Sequence, residues 1–215
     1  MKRVVFLGAK EIGLGALEEL YRRQEELEYE IVGVFTSKRG EKIKEFCMKY
    51  NLPLKEDLEQ ILVLKCDLLF SVQYHQILQM RHLESVSTMA FNLHLAPLPE
   101  YRGCNQFSFA ILNEDEEFGV SIHKVDCGID SGDVVFQKRF KIPKKCFVEE
   151  LVEIASKEGL KLFKDKLKNM IEGKYVLTPQ SSLISNKKEF HLRNEINFLK
   201  EIKLCAIGGG GGGNF

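Results

Sequence analysis

The fold turns on the stretch VVFLGAKEIGLGALEELYRRQEELEYEIVGVFTS, residues 4–37. Its two ends, VVFLG and EIVGVFTS, are β-branched and aromatic runs of the kind that sit in buried strands. Between them Leu17, Leu20 and Tyr21 recur at helical spacing, with Glu18, Glu19, Arg22 and Arg23 on the opposite side. Ile12 to Leu27 therefore reads as a helix covering one face of a sheet. A strand, a covering helix and a second strand form a right-handed βαβ unit, which requires parallel strands.

The same rhythm continues outward: an amphipathic run over Glu41 to Tyr50, then DLLFSVQY at 67–74 and MAFNLH at 89–94. This is the alternation of an α/β domain, Rossmann-like, with a mainly parallel twisted sheet and flanking helices. Beyond it come a helical run around 105–112, the strand patterns FGVSIHKVD and DVVFQKRF, and a long amphipathic segment from Phe147 to Met170. Val148, Leu151, Val152 and Ala155 share one face of that segment, and Gly159 marks a kink or break in it. From Glu172 the pattern weakens into a short hairpin or extended arm followed by one or two helical turns, and the chain ends in CAI, a glycine run over 208–213, Asn214 and Phe215. Such a run cannot offset the entropy of ordering and reads as a flexible tail. The expected organisation is one unit over 1–180, a shortened carboxyl-terminal arm over 181–207 and a glycine-rich tail over 208–215.

Composition narrows the partners. The 31 basic and 31 acidic residues cancel, so no global field draws the chain to nucleic acid or to an anionic membrane. Cys47, Cys66, Cys104, Cys127, Cys146 and Cys205 form no C-x-x-C pair, and the opening MKRVVFLG enters a strand rather than a secretory apolar region. A reducing cytoplasm is the expected compartment. No apolar run approaches the roughly 18 residues of a spanning helix, so no membrane insertion is expected.

Glycines stand at the first strand-to-helix turn, but GAKEIGLG (residues 8–15) does not match G-x-G-x-x-G, so it carries no dinucleotide signature. Lys10 and Glu11 still lie at the carboxyl end of a parallel strand, where ligands bind in such sheets. The stretch FNLHLAPLPEYRG (91–103) carries more chemistry. Asn92 and His94 are two positions apart on a strand and project from one face, and Pro97 and Pro99 stiffen the loop that follows. Downstream, HKVDCGIDSGDVV (123–135) places Asp130 between Gly128 and Gly132. An amide, an imidazole and a carboxylate are the parts needed to move an acyl group onto an amine. The amide and imidazole stabilise an oxyanion, the imidazole carries a proton, and the carboxylate orients it. Cys104 and Cys127 sit in no nucleophile motif, so direct transfer is expected. His75, His82, His94 and His123 lack the spacing of a zinc site, and no metal is expected.

N-x-H-x-x-x-L-P-x-Y-R-G followed by H-x-V-D-x-G-I-D-x-G resembles the formyltransferase family that uses 10-formyltetrahydrofolate, over about residues 1–180. The resemblance implies that Asn92, His94 and Asp130 are the catalytic trio. It also implies that the folate lies in a cleft beside the sheet, held largely by backbone in loops near Gln73, Tyr74, His75, Ile77 and Leu78 and near Asp126 and Gly128. SVQYHQIL and FHLRNEINFL look like the branch that formylates nucleotide-linked amino sugars, typically dTDP-linked 4-amino-4,6-dideoxyhexoses used in bacterial surface polysaccharides. On that resemblance Lys10, Tyr101, Arg102, Asn105 and Gln106 would contact the sugar or its pyrophosphate, and a homodimer is the implied assembly. The alternatives are glycinamide-ribonucleotide and methionyl-tRNA formyltransferases and an inactive folate- or nucleotide-sugar-binding module.

Overall fold

The computed structural model describes residues 1–183 and 189–192. The opening stretch folds as β1 (Lys2–Gly8), α1 (Lys10–Arg22) and β2 (Tyr29–Thr36), and the two strands pair in parallel. The chain continues through α2 (Glu41–Lys49), β3 (Leu54–Lys55), a 3-10 segment (Leu58–Val63), β4 (Leu68–Val72), α3 (Met80–Glu84) and β5 (Met89–His94). Then follow β6 (Tyr101–Gly103), α4 (Gln106–Leu112), β7 (Glu117–Lys124), β8 (Val134–Lys141), the long α5 (Val148–Glu172) and β9 (Glu189–His191).

The main sheet has seven strands in the order β3-β2-β1-β4-β5-β7-β8. β3 through β5 are parallel, whereas β7 runs antiparallel to β5 and β8 antiparallel to β7. From β1 the chain steps outward to β2 and β3, then returns to build β4 on the other side of β1. The loops leaving β1 and β4 therefore diverge and open a crevice at the carboxyl ends of the strands.

Both faces of the sheet are covered. Val4 and Phe6 of β1 join a core beneath α1, α2 and α5, while Val5 and Leu7, on the alternate positions, join a second core beneath the 3-10 segment and α3. Phe163 of α5 meets the Phe70 ring edge-on at 5.7 Å, and Phe70 stacks on Phe91 at 5.4 Å. This packing anchors β5, the strand that ends in His94.

Two local expectations are corrected. α5 runs unbroken through Gly159, because the glycine serves a close crossing: a Cβ there would lie 2.7 Å from Leu95 Cδ2, just past the end of β5. Glu19 is buried rather than solvent-facing, and its carboxylate accepts a hydrogen bond from Arg22 at 2.6 Å, which offsets the loss of water. In α1, a Cβ on Gly15 would approach Leu160 Cδ2 to 2.7 Å, so that glycine seats α1 against α5.

Of the expected arm, residues 181–183 and 189–192 are described, and β9 pairs in parallel with β6. The remainder of the arm, including most of FHLRNEINFL, and the 208–215 tail lie outside the described residues. No helix among the described residues is long and apolar enough to cross a membrane.

Candidate active site

β5 delivers Asn92 and His94 to the carboxyl edge of the sheet, and the loop behind them is fixed by more than its prolines. Residues 95–99 are buried. Ser121 of β7 donates to the Ala96 carbonyl at 2.9 Å and accepts the Leu98 N–H at 3.1 Å, while Gln137 of β8 donates to the Leu98 carbonyl at 2.8 Å. The Leu98–Pro99 peptide is cis.

Asp130 reaches the same place from the β7–β8 loop, in the left-handed region at φ +49°. Its loop is tied down from three directions. The Gly103 N–H donates to Asp130 Oδ2 at 3.1 Å. Gln180 Nε2 donates to the carbonyls of Asp130 and Gly132, both at 2.8 Å. Arg102 donates through Nε and Nη2 to the Ile129 carbonyl at 3.0 and 2.9 Å.

The polar contacts fix the proton on His94. Nε2 lies 2.8 Å from the Tyr101 carbonyl oxygen, which can only accept, so Nε2 carries the hydrogen and Nδ1 is the basic atom. Nδ1 in turn faces Asp130 Oδ2 at 3.6 Å. Burial pushes the His94 pKa below its ordinary 6.5; His123 adds to that effect, and Asp130 and the Tyr101 carbonyl oppose it. Asp130 is buried too, but the charge that His94 gains on protonation, together with the Gly103 N–H, outweighs desolvation and holds its carboxyl well below the usual carboxylate range. The pair is thus a neutral imidazole beside a carboxylate, ready to accept a proton at Nδ1.

Asn92 and His94 line a cleft of about 720 Å³ together with Ala9, Lys10, Gln73, Tyr74, Asn105 and Asp130, among others. Lys10, Gln73, Asn105 and Asp130 all have positive φ, at 61°, 56°, 61° and 49°. Such backbone costs of order 1 kcal/mol per residue outside glycine, and its concentration around one cavity is the pattern of a ligand site.

Of the residues expected from sequence, the structure brings Asn92, His94, Asp130, Gln73, Tyr74, His75, Lys10, Asn105 and Gln106 to this cleft. Ile77, Leu78, Asp126, Gly128, Tyr101 and Arg102 are not among its lining residues. Leu78 is buried in the second core. Asp126 organises its own loop, accepting from the Ser131 hydroxyl at 2.6 Å and the Gly128 N–H at 3.1 Å. Two residues expected to contact the sugar are engaged elsewhere. The Tyr101 side chain turns inward, 1% exposed, and donates its hydroxyl to Asp115 Oδ2 at 2.5 Å, because its ring belongs to the core. Arg102 spends its fork on the Ile129 carbonyl and so braces the Asp130 loop.

The structure also adds residues that the sequence reading passed over. Ser37, Lys38 and Arg39, from the loop after β2, line the cleft, and the Arg39 carbonyl accepts the Lys10 N–H at 3.0 Å. Burial and the neighbouring Arg39 charge lower the Lys10 pKa, and its Nζ donates to the neutral Gln73 Oε1 at 3.0 Å rather than to an acid. Lys38 and Arg39 have no acidic partner among the described residues. Their signal in the sequence was position alone: FTSKRG leaves the carboxyl end of a strand beside β1. His123 is the other addition; it sits opposite Asn92 in the β5–β7 register, and its signal was the histidine that opens H-x-V-D-x-G-I-D-x-G.

The formyl transferase family model matches residues 22–167. A methionyl-tRNA formyltransferase of Kosmotoga olearia is 31% identical over 196 residues, covering 83% of this chain and 62% of that protein. This chain thus spans a little under two thirds of the curated relatives it matches. The crystal structure of an N-formyltransferase from Helicobacter canadensis with folinic acid and dTDP-3-aminofucose superposes with a TM-score of 0.79, at 23% identity, covering 92% of this chain and 73% of that one. Glycinamide ribonucleotide transformylase 1 from Symbiobacterium toebii superposes with a TM-score of 0.72, at 16% identity, covering 84% of this chain and 92% of that one. At these identities the structural likenesses concern the fold.

Proposed function

The chain belongs to the formyl transferase family, and from that premise we propose that its cleft transfers the formyl group of 10-formyltetrahydrofolate to the amine of a nucleotide-linked amino sugar, with residues 1–180 as the transferring unit. The observation that carries the reading is the convergence of Asn92, His94 and Asp130 on the cleft, with His94 Nδ1 bare beside a carboxylate.

The folate supplies, when bound, a formyl group on nitrogen. The donor set suits it: Gln73, Tyr74 and His75 form one wall, and an aromatic side chain beside a polar loop fits a flat, hydrogen-bonding heterocycle. Asn92 donates an N–H to the carbonyl oxygen as negative charge develops there. His94 Nδ1 takes the proton that the attacking amine must lose and returns it to the departing nitrogen, and Asp130 stabilises the ring while it is charged. One C–N bond forms, one breaks, and a single proton passes between the two nitrogens. Among the described residues no serine or cysteine is hydrogen-bonded to His94, which supports direct transfer without a covalent enzyme intermediate.

Lys10, Lys38 and Arg39 support a phosphate-bearing acceptor. Like charges gathered on a cleft wall, with no acid paired to them among the described residues, repel one another, and a diphosphate relieves that repulsion. A second reading, transfer to an aminoacyl-tRNA, is favoured by the methionyl-tRNA formyltransferases among the sequence relatives. The two are separated by incubating the protein with 10-formyltetrahydrofolate and either dTDP- or UDP-linked amino sugars or methionyl-tRNA, and reading a formyl mass increment on the acceptor. Formylation of a sugar nucleotide is expected; formylation of the tRNA alone would replace the reading, and formylation of neither would end it.

A further inference from the structure

His123 is buried and belongs to neither motif role assigned above, yet both of its ring nitrogens are committed. Nδ1 lies 2.8 Å from the Lys124 carbonyl oxygen. A carbonyl has no proton to give, so the hydrogen of an uncharged imidazole here is on Nδ1, which leaves Nε2 bare. Around that lone pair stand Asn92 Nδ2 at 3.0 Å and Asp130 Oδ1 at 3.4 Å. An ionised carboxylate cannot donate, which leaves the Asn92 carboxamide as the only donor of the two.

We propose that His123 is a positioning residue that sets which way the Asn92 amide faces. With the amide nitrogen against Nε2, one N–H is spent on the ring and the second is left for the cleft that Asn92 lines. Turned over, the amide would set its oxygen against the Nε2 lone pair, two acceptors in contact, and its nitrogen would no longer be held by the ring. The two ends of a carboxamide differ little in shape, so sterics alone do not choose between them. A hydrogen-bond partner does. The register of the sheet supplies it, since Asn92 and His123 are directly paired across β5 and β7. The inference rests on the formyl-transfer reading only in assigning the free N–H to a carbonyl oxygen; the orientation itself does not depend on which amine is formylated.

Two replacements separate positioning from bulk. His123→Gln places a carboxamide oxygen where Nε2 was and keeps an acceptor for Asn92. His123→Asn reaches only the Nδ1 position and keeps the Lys124 contact while losing the one to Asn92. His123→Gln is expected to retain kcat within about fivefold, and His123→Asn to lose roughly 10- to 100-fold, with KM for folate and acceptor moving less than about threefold. In the Asn92→Ala background, His123→Asn should cost nothing further, since it acts through Asn92. Equal losses in the two His123 variants, or full additivity with Asn92→Ala, would overturn the proposal. A readout independent of turnover is the long-range 1H–15N spectrum of the wild-type imidazoles. An Nδ1–H tautomer for His123 is expected, and an imidazolium or Nε2–H form would overturn the proposal even if the enzyme formylates its acceptor. Absence of formyl transfer by the wild type, with the expected tautomer present, would count against the formyl-transfer reading alone.

Discussion

Asp130 Oδ2 stands 3.6 Å from His94 Nδ1, on the edge of the imidazole that carries no hydrogen. A carboxylate beside a bare ring nitrogen gains little in the resting state and much once the ring is protonated, so the pair suits the charged ring that the proposed proton transfer requires.

The first prediction concerns pH. Burial holds the His94 pKa below 6.5, so the ring stays neutral through neutrality and kcat should be flat there, falling only on an acid limb centred below 6.5. The effect on stability has the same sign. An unfolded His94 takes up its proton as the pH drops through 6.5 while the folded ring does not, so acidification costs stability in that window. Asp130, held below its ordinary 3.8, contributes stability that is present above that value and lost as the pH falls through the lower folded one. Measuring kcat against pH checks the reading; an acid limb centred above 6.5 would contradict a buried neutral base.

The second concerns Asn92. Replacement by alanine removes the N–H proposed to meet the developing oxyanion, and kcat should fall about 100- to 1000-fold with folate KM changed only a few-fold. Steady-state kinetics decide it, and wild-type turnover by Asn92→Ala would sink the assignment.

The third tests the cation cluster. Arg39→Ala should raise KM for a sugar-nucleotide acceptor roughly 10-fold, leave folate KM unchanged and make acceptor KM less sensitive to salt. If the folate KM rises instead, these cations hold the folate's carboxylates and the acceptor's phosphates lie elsewhere.

Much of this was legible in the sequence, because period and motif report on strands and on short-range geometry. The βαβ units, the placement of Asn92 and His94 on one face, and the return of Asp130 from a later loop all follow from local pattern. What stayed hidden depends on tertiary contact. Gly159 reads as a helix breaker until Leu95 is seen against it. Tyr101 and Arg102 follow β5 closely enough to read as substrate contacts, and only the packed structure shows Tyr101 in the core and Arg102 on the Ile129 carbonyl. Lys38 and Arg39 are an ordinary loop pair until the parallel pairing of β2 with β1 is seen to set them beside Lys10.

The fourth prediction concerns the Asp130 loop. A Cβ on Gly132 would lie 1.9 Å from the Lys124 carbonyl oxygen, a backbone atom that cannot swing aside. Gly132→Ala should therefore displace the loop, destabilise the fold by about 2 kcal/mol and lower kcat by moving Asp130 off His94. Thermal denaturation and kcat measured together check this, and unchanged values of both would show that the loop accommodates a side chain.

The last concerns Tyr101, which serves the site from behind. Its carbonyl holds His94 Nε2, while its ring is buried against Phe118 at 5.8 Å and its hydroxyl bonds Asp115 and Asn113 at 2.5 and 3.0 Å. Tyr101→Phe keeps the ring and the carbonyl but removes the hydroxyl's bond to Asp115, a charge-assisted contact whose loss costs about 1 to 3 kcal/mol. A side chain that touched the sugar would show itself in acceptor KM; one that anchors the backbone under His94 would show itself in stability, and in kcat if the carbonyl shifts by even a few tenths of an ångström. Acceptor KM is expected to hold, thermal stability to fall and kcat to drop a few-fold. A selective rise in acceptor KM at wild-type stability would return Tyr101 to the substrate side of the cleft and require the β6 strand to move when the acceptor binds.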